Sequence, residues 1–138
     1  MSDTFDITKL DVLVVEDEKF MRKLIVRVLQ ELGILSVFEA ENGAVGLSQV
    51  KSLEGKLDLI LCDLEMPVID GLKFIQGLRE GVAGQSQKKT PVIVLTGHSD
   101  ADNVKKAVEL GIQGYLVKPF SPAALEKRIR SAVGAPPN

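Results

Sequence analysis

The sequence predicts a doubly wound α/β fold, in which a five-stranded parallel sheet carries helices on both faces. Two observations point there. Five short β-rich runs, at residues 10–15, 36–40, 57–62, 91–95 and 114–117, alternate with stretches whose apolar residues recur at helical spacing. The runs are also continuous rather than alternating, as in Val12-Leu13-Val14-Val15 and Val92-Ile93-Val94-Leu95. Strands covered on both faces of a parallel sheet have this pattern.

The elements follow in order. After the first strand, Phe20, Leu24, Val28 and Leu32 repeat at helical spacing, and Gly33 supplies a C-terminal stop. The second strand, 36–40, is more polar and suits a position near an edge. Asn42 caps a helix carrying Val45, Leu47, Val50 and Leu53, which stops at Gly55. The third strand, 57–62, delivers Asp63 at its tip. A third helix runs from about Asp70 through Leu72, Phe74, Ile75 and Leu78 to near Glu80. Residues 81–90 hold two glycines, two glutamines and no period, and are expected to form a loop. Ser99 and Asp102 resemble a capping box for a fourth helix with Ala101, Val104 and Val108, ending at Gly111. The last helix opens at Ser121-Pro122, with proline in the first turn, and continues through Leu125 and Ile129 to Val133.

Length and composition narrow the class. A chain of 138 residues suits one domain, 1–138, with a core over 10–133 and short tails. Hydrophobic residues make up 45%, enough for a packed interior. The net charge of −2 argues against a nucleic-acid-binding surface. Cys62 is the sole cysteine and His98 the sole histidine, so neither an internal disulfide nor a zinc site can be built. No apolar stretch approaches the roughly 20 residues of a membrane span. The acidic start, Met1-Ser2-Asp3-Thr4-Phe5-Asp6, lacks the order of a signal peptide. A cytoplasmic protein without membrane or nucleic-acid partners is expected.

The residues that end the strands carry the chemistry. In an open parallel sheet every strand C-terminus lies along one edge, where ligands bind. Glu16 and Asp17 end the first strand, Asp63 the third, Thr96 the fourth and Lys118 the fifth. If strands one and three are neighbours, three carboxylates crowd together and repel one another unless a cation sits among them. An oxygen-only donor set with few carboxylates fits Mg²⁺. Lys118 can neutralise an anion, and Thr96 offers a hydroxyl. Such a pocket can receive a phosphoryl group on an aspartate nucleophile, with metal and lysine offsetting the oxygen charge.

This set of residues resembles the receiver domain of two-component response regulators. The matching pattern is Glu16-Asp17, then Asp63 with Met66-Pro67 and Asp70-Gly71, then Thr96-Gly97, then Tyr115-Leu116-Val117-Lys118-Pro119-Phe120. It covers residues 10–133 and is most similar to single-domain regulators of the chemotaxis type. The resemblance implies a flavodoxin-like three-layer α/β/α fold with strand order 2-1-3-4-5. It implies that Asp63 accepts phosphate from a histidine kinase or a histidine phosphotransfer protein. Glu16, Asp17, Asp63 and the backbone carbonyl of Glu65 would hold Mg²⁺. Thr96, Gly97 and Lys118 would contact the phosphoryl group. Thr96 and Tyr115 would switch a face read by a downstream protein. A monomer is expected, with a dimer on phosphorylation as the alternative. Glu16 stands where Asp is more usual, Ile112 where a small residue is typical, and the 81–90 loop is longer than in minimal members. Glu65 and His98 flank the expected phosphate site.

Each residue alone has an ordinary explanation. Acids after a strand cap helices, Lys118 before a proline is usually solvated, and Tyr115 could simply pack. The combination at ordered strand ends is what outweighs these. Two other function classes share some features. A Mg²⁺-dependent aspartyl phosphatase would use Glu65 as general acid, but the chain leaves little room for a substrate cap. A flavin module of the same topology needs a Ser/Thr/Gly-rich phosphate loop after strand one, where Glu16-Asp17-Glu18 stands instead.

Overall fold

The computed structural model describes residues 6–66, 68–97 and 101–134. The elements run β1 (Asp11–Val15), α1 (Lys19–Glu31), β2 (Ser36–Ala40), α2 (Gly43–Leu53), β3 (Leu59–Asp63), α3 (Gly71–Arg79), β4 (Val92–Thr96), α4 (Ala101–Glu109), β5 (Gly114–Val117) and α5 (Pro122–Val133). All neighbouring strands pair in parallel, in the order β2-β1-β3-β4-β5. The chain therefore has the expected flavodoxin-like architecture, and the two acid-bearing strands β1 and β3 are neighbours.

Strand alternation divides the core in two. Val12, Val14, Leu59, Leu61, Ile93, Leu95 and Leu116 face a layer built by α1 and α5, where Ile25, Leu29, Leu125 and Ile129 meet them. Leu13, Val15, Ile60, Cys62, Val92 and Val94 face α2, α3 and α4, where Val50, Phe74, Ile75, Leu78 and Ala107 are buried. Among the described residues no helix is long and apolar enough to cross a membrane. Three helix starts have the caps their sequences call for. Asn42, Asp70 and Ser121 accept from the amides of Val45 (2.9 Å), Lys73 (2.9 Å) and Ala124 (3.1 Å). The expected Ser99 cap lies outside the described residues.

Four local expectations are corrected. In α1 the inward stripe is Ile25, Val28 and Leu29, with Met21 and Leu32 beside it, while Phe20 is 75% and Leu24 42% exposed. Apolar residues occur almost all round α1, so spacing alone fits two stripes and sheet contact selects one. In α4 the buried residue is Ala107, and Val108 is turned to solvent. The third strand begins at Leu59 rather than 57, because the Leu57 amide and carbonyl bond the side chain of Gln87 instead of a strand. Residues 81–90 are not a featureless loop. A 3₁₀ turn at Gln85–Gln87 buries Gln87, and Arg79 donates to the carbonyls of Lys88, Thr90, Leu110 and Gly111. These polar contacts brace the N-terminal rim of the sheet, opposite the acidic edge.

Candidate functional site

The sheet register sets the site. Val15 pairs with Cys62, so the next residues of β1 and β3, Glu16 and Asp63, emerge side by side at the C-terminal edge. By alternation Glu16 follows Val14, Asp63 follows Leu61, and Lys118 follows Leu116, all on the α1/α5 side. Thr96 follows Val94 and belongs to the opposite face. Cys62 points away from Asp63 into the α2/α3 layer, where burial raises its thiol pKa well above the ordinary value.

Carboxylate oxygens of Glu16, Asp17 and Asp63 all lie within 4.8 Å of one another. Glu16 and Asp63 are buried, whereas Asp17 faces solvent at the mouth. Lys118 Nζ lies 2.6 Å from Glu16 Oε1 and 3.6 Å from Asp63 Oδ1. The second Glu16 oxygen accepts from the Glu18 amide at 3.1 Å, and Asp63 Oδ1 accepts from the Glu65 amide at 3.3 Å. Both buried carboxylates are thus tied to a backbone amide and to the same lysine.

The charge balance shows in Asp63. Burial, reinforced by the Glu16 carboxylate, raises its pKa from 3.8 to about 7, against the opposing pull of Lys118. Burial works against the Lys118 ammonium, but its bond to Glu16 and the proximity of Asp63 outweigh that and hold its pKa above the ordinary value. Among the described residues, the ion pairs to these three acids come from one lysine, which leaves an excess of negative charge. An added divalent ion would offset it, and three carboxylates are the hard oxygen donors that Mg²⁺ takes.

Glycines shape the floor of this edge. A Cβ at Gly71 would lie 2.3 Å from the carbonyl oxygen of Asp63 and 2.6 Å from Leu64 Cα. The start of α3 therefore passes directly against the acid-bearing strand end. At Gly97 a Cβ would meet nothing within 4 Å among the described residues. Tyr115, on β5 beside Val94, is 45% exposed.

The structure brings together Glu16, Asp17, Asp63 and Lys118, with Glu65 bonded to Asp63. Thr96 is buried at the tip of β4 and its carbonyl accepts from the Lys118 amide at 2.7 Å. Tyr115 lies further along β5, on the exposed side. Pro67 and His98 lie outside the described residues. One residue was not legible as part of this region. Arg22, in the first turn of α1, donates to the Glu16 carbonyl at 2.9 Å and to Glu39 at 3.1 Å. Only the placement of β2 beside β1 brings Glu39 to it.

Comparison with known proteins agrees with this geometry. The family model for the response regulator receiver domain matches residues 12–130. The chain belongs to the response regulator receiver family. Its curated relatives include the Vibrio cholerae chemotaxis protein CheY-3, 30% identical over 118 residues, spanning 86% of this chain and 87% of that one. The Pseudomonas aeruginosa chemotaxis protein CheY is 31% identical over 118 residues, spanning 86% and 91%. These relatives support a receiver of the single-domain chemotaxis type. Among solved structures, Vibrio cholerae CheY4 matches with a TM-score of 0.79 at 31% identity, covering 89% of this chain and 98% of that one. The receiver domain of the Pseudomonas aeruginosa sensor histidine kinase PA1611 matches with a TM-score of 0.78 at 27% identity, covering 90% and 97%. That structure has a magnesium ion coordinated in its active-site cleft.

Proposed function

We propose that this receiver is a phosphoacceptor switch in two-component signalling, with Asp63 as the acceptor. The observation that carries it is the buried Asp63 carboxylate, set among Glu16, Asp17 and Lys118 at the sheet edge. In the transfer, an Asp63 oxygen attacks the phosphorus of a phosphohistidine. The O–P bond forms, the P–N bond breaks, and the freed imidazole leaves with a proton from solvent. Mg²⁺ held by Glu16, Asp17, Asp63 and the Glu65 carbonyl would offset charge on the phosphoryl oxygens. Lys118, between Glu16 and Asp63, turns its ammonium to the same oxygens.

Thr96 and Tyr115 supply the response. Thr96 starts on the sheet face opposite Asp63, so contact with a phosphoryl group requires its hydroxyl to swing across the tip of β4. Among the described residues, none would obstruct a Cβ at Gly97 beside it. The space vacated by Thr96 admits Tyr115 from its half-exposed position, altering the face of α4, β5 and α5 offered to a downstream protein.

The donor is a protein, a histidine kinase or phosphotransfer protein. A groove of about 320 Å³ lined by Met21, Leu24, Val28, Pro119, Phe120 and Pro122 adjoins the residues following Asp17 and Lys118. With exposed Phe20 it offers an apolar seat for a helix that brings its histidine to Asp63. A phosphatase reading is less supported. Among the described residues every helix is packed on one sheet face or the other, leaving none to cover a small substrate.

Incubation with a small phosphodonor and Mg²⁺, followed by intact mass measurement, tests the proposal. The expected result is a Mg²⁺-dependent gain of one phosphoryl group that is absent in Asp63→Asn. Equal labelling of that variant would reject Asp63 as acceptor.

A further inference from the structure

We infer that Arg22 is a positioning residue for the metal-bearing end of β1, and that its fork geometry rather than its charge sustains divalent-cation binding. The inference rests on the proposed role of Glu16, Asp17 and Asp63 as the Mg²⁺ site. Arg22 uses two edges of its guanidinium. One nitrogen donates to the backbone carbonyl of Glu16 at 2.9 Å, and Nε donates to Glu39 Oε1 at 3.1 Å. The side chain is largely buried, at 13% exposed. Glu39 is itself fixed in β2, opposite Val14 of β1, and its other oxygen takes Lys23 at 3.0 Å.

The carbonyl that Arg22 holds belongs to the peptide joining Glu16 to Asp17. Its rotation sets the direction of both side chains, one buried and one at the mouth. The Glu16 amide on the other side is bound to the Ala40 carbonyl at 3.0 Å. Glu16 is thus held from β2 twice, directly through Ala40 and indirectly through Glu39 and Arg22. Asp17 is exposed, and its placement depends on this peptide. A planar fork can serve carbonyl and carboxylate at once, which a lysine ammonium cannot do in the same geometry. Partners that orient metal ligands typically change affinity by about 10-fold to 100-fold when lost.

Charge and geometry act in opposite directions here. Removing a cation beside an acidic cluster should tighten binding of a divalent ion by Coulomb attraction. Removing the brace should weaken it by letting the Glu16–Asp17 peptide turn. The sign of the change therefore identifies which effect dominates.

The test is calorimetric titration of the full chain with MgCl₂, comparing the wild type with Arg22→Met and Arg22→Lys, alongside thermal melting in EDTA. The inference expects both variants to bind Mg²⁺ about 10-fold more weakly. Arg22→Lys keeps the charge and most of the aliphatic stem, so it carries the test alone if Arg22→Met does not fold. Wild-type affinity in Arg22→Lys, or equal or tighter binding in Arg22→Met, overturns the inference while leaving the metal site intact. Failure of the wild type itself to bind Mg²⁺ overturns the site assignment, and the role of Arg22 with it.

Discussion

Lys118 Nζ lies 2.6 Å from Glu16 Oε1 and so links the strand ends of β5 and β1 across the two strands between them. Glu16 is 1% exposed, which makes this a nearly buried pair rather than a surface one. Its loss is correspondingly costly, because one partner is left as an uncompensated buried charge.

Lys118→Ala therefore should lower stability at neutral pH by about 3 kcal/mol, the scale for breaking a buried pair. Mg²⁺ supplies a replacement cation, so it should restore more stability in this variant than in the wild type. Urea denaturation with and without Mg²⁺ measures both. An equal effect of the metal on the two proteins would contradict the shared use of Glu16. Phosphate uptake should persist in the variant while the change in partner binding is lost.

The pH dependence of stability should trace Asp63. Its pKa is about 7 in the fold, against an ordinary value of 3.8. Between those values the folded chain holds a proton that the unfolded chain has lost, so stability falls as pH rises from about 4 towards 7. Asp63→Asn removes this loss. In EDTA the variant should melt higher than the wild type at pH 8, by on the order of 5 °C, and equally at pH 4. A difference independent of pH would show that Asp63 is not the titrating group.

Gly71→Ala should disrupt the site through the backbone. Its Cβ would meet the Asp63 carbonyl at 2.3 Å and Leu64 Cα at 2.6 Å, and neither atom is at the end of a flexible side chain. The start of α3 and the tip of β3 must separate, at a cost of about 2 kcal/mol or more, typical of overpacking. Weakened phosphorylation should accompany the loss. Unchanged stability and labelling would mean the two segments part freely.

Phe20→Ser with Leu24→Ser should separate the two kinds of donor. Phe20 is 75% and Leu24 42% exposed, so melting should move by no more than about 1 kcal/mol equivalent for the pair. Transfer from a phosphohistidine protein should slow by about 10-fold or more, an expectation drawn from the loss of an apolar contact of about 1.4 kcal/mol. Labelling by a small phosphodonor should be unchanged. Slowing of both reactions alike would place these residues in the chemistry rather than in docking.

Much of the fold was legible because its signals are local. Continuous apolar runs identified strands with both faces covered, and Asn42, Asp70 and Ser121 marked helix starts through side chains that bond amides three residues on. The helix stripes were less legible. Phe20 and Leu24 fit a helical period as well as Met21 and Ile25 do, and only contact with the sheet decides which pair turns inward. Gln87 and Arg79 were hidden for a related reason. Their partners, Leu57, Leu110 and Gly111, are distant in sequence, and a polar residue in an aperiodic stretch carries no mark of burial.

By itself the sequence determined the class of fold and the identities of the strand-end residues. Strand type and helix caps depend on nearest neighbours, and the acids and lysine stand at the ends of recognisable runs. Tertiary structure decided how those ends combine. The order β2-β1-β3-β4-β5 put Glu16 beside Asp63, carried Lys118 to both, and brought Glu39 within reach of Arg22. The raised pKa of Asp63 is likewise a tertiary property. It comes from burial and from a second carboxylate 47 residues earlier in the chain, whose proximity exists only once β1 and β3 pair.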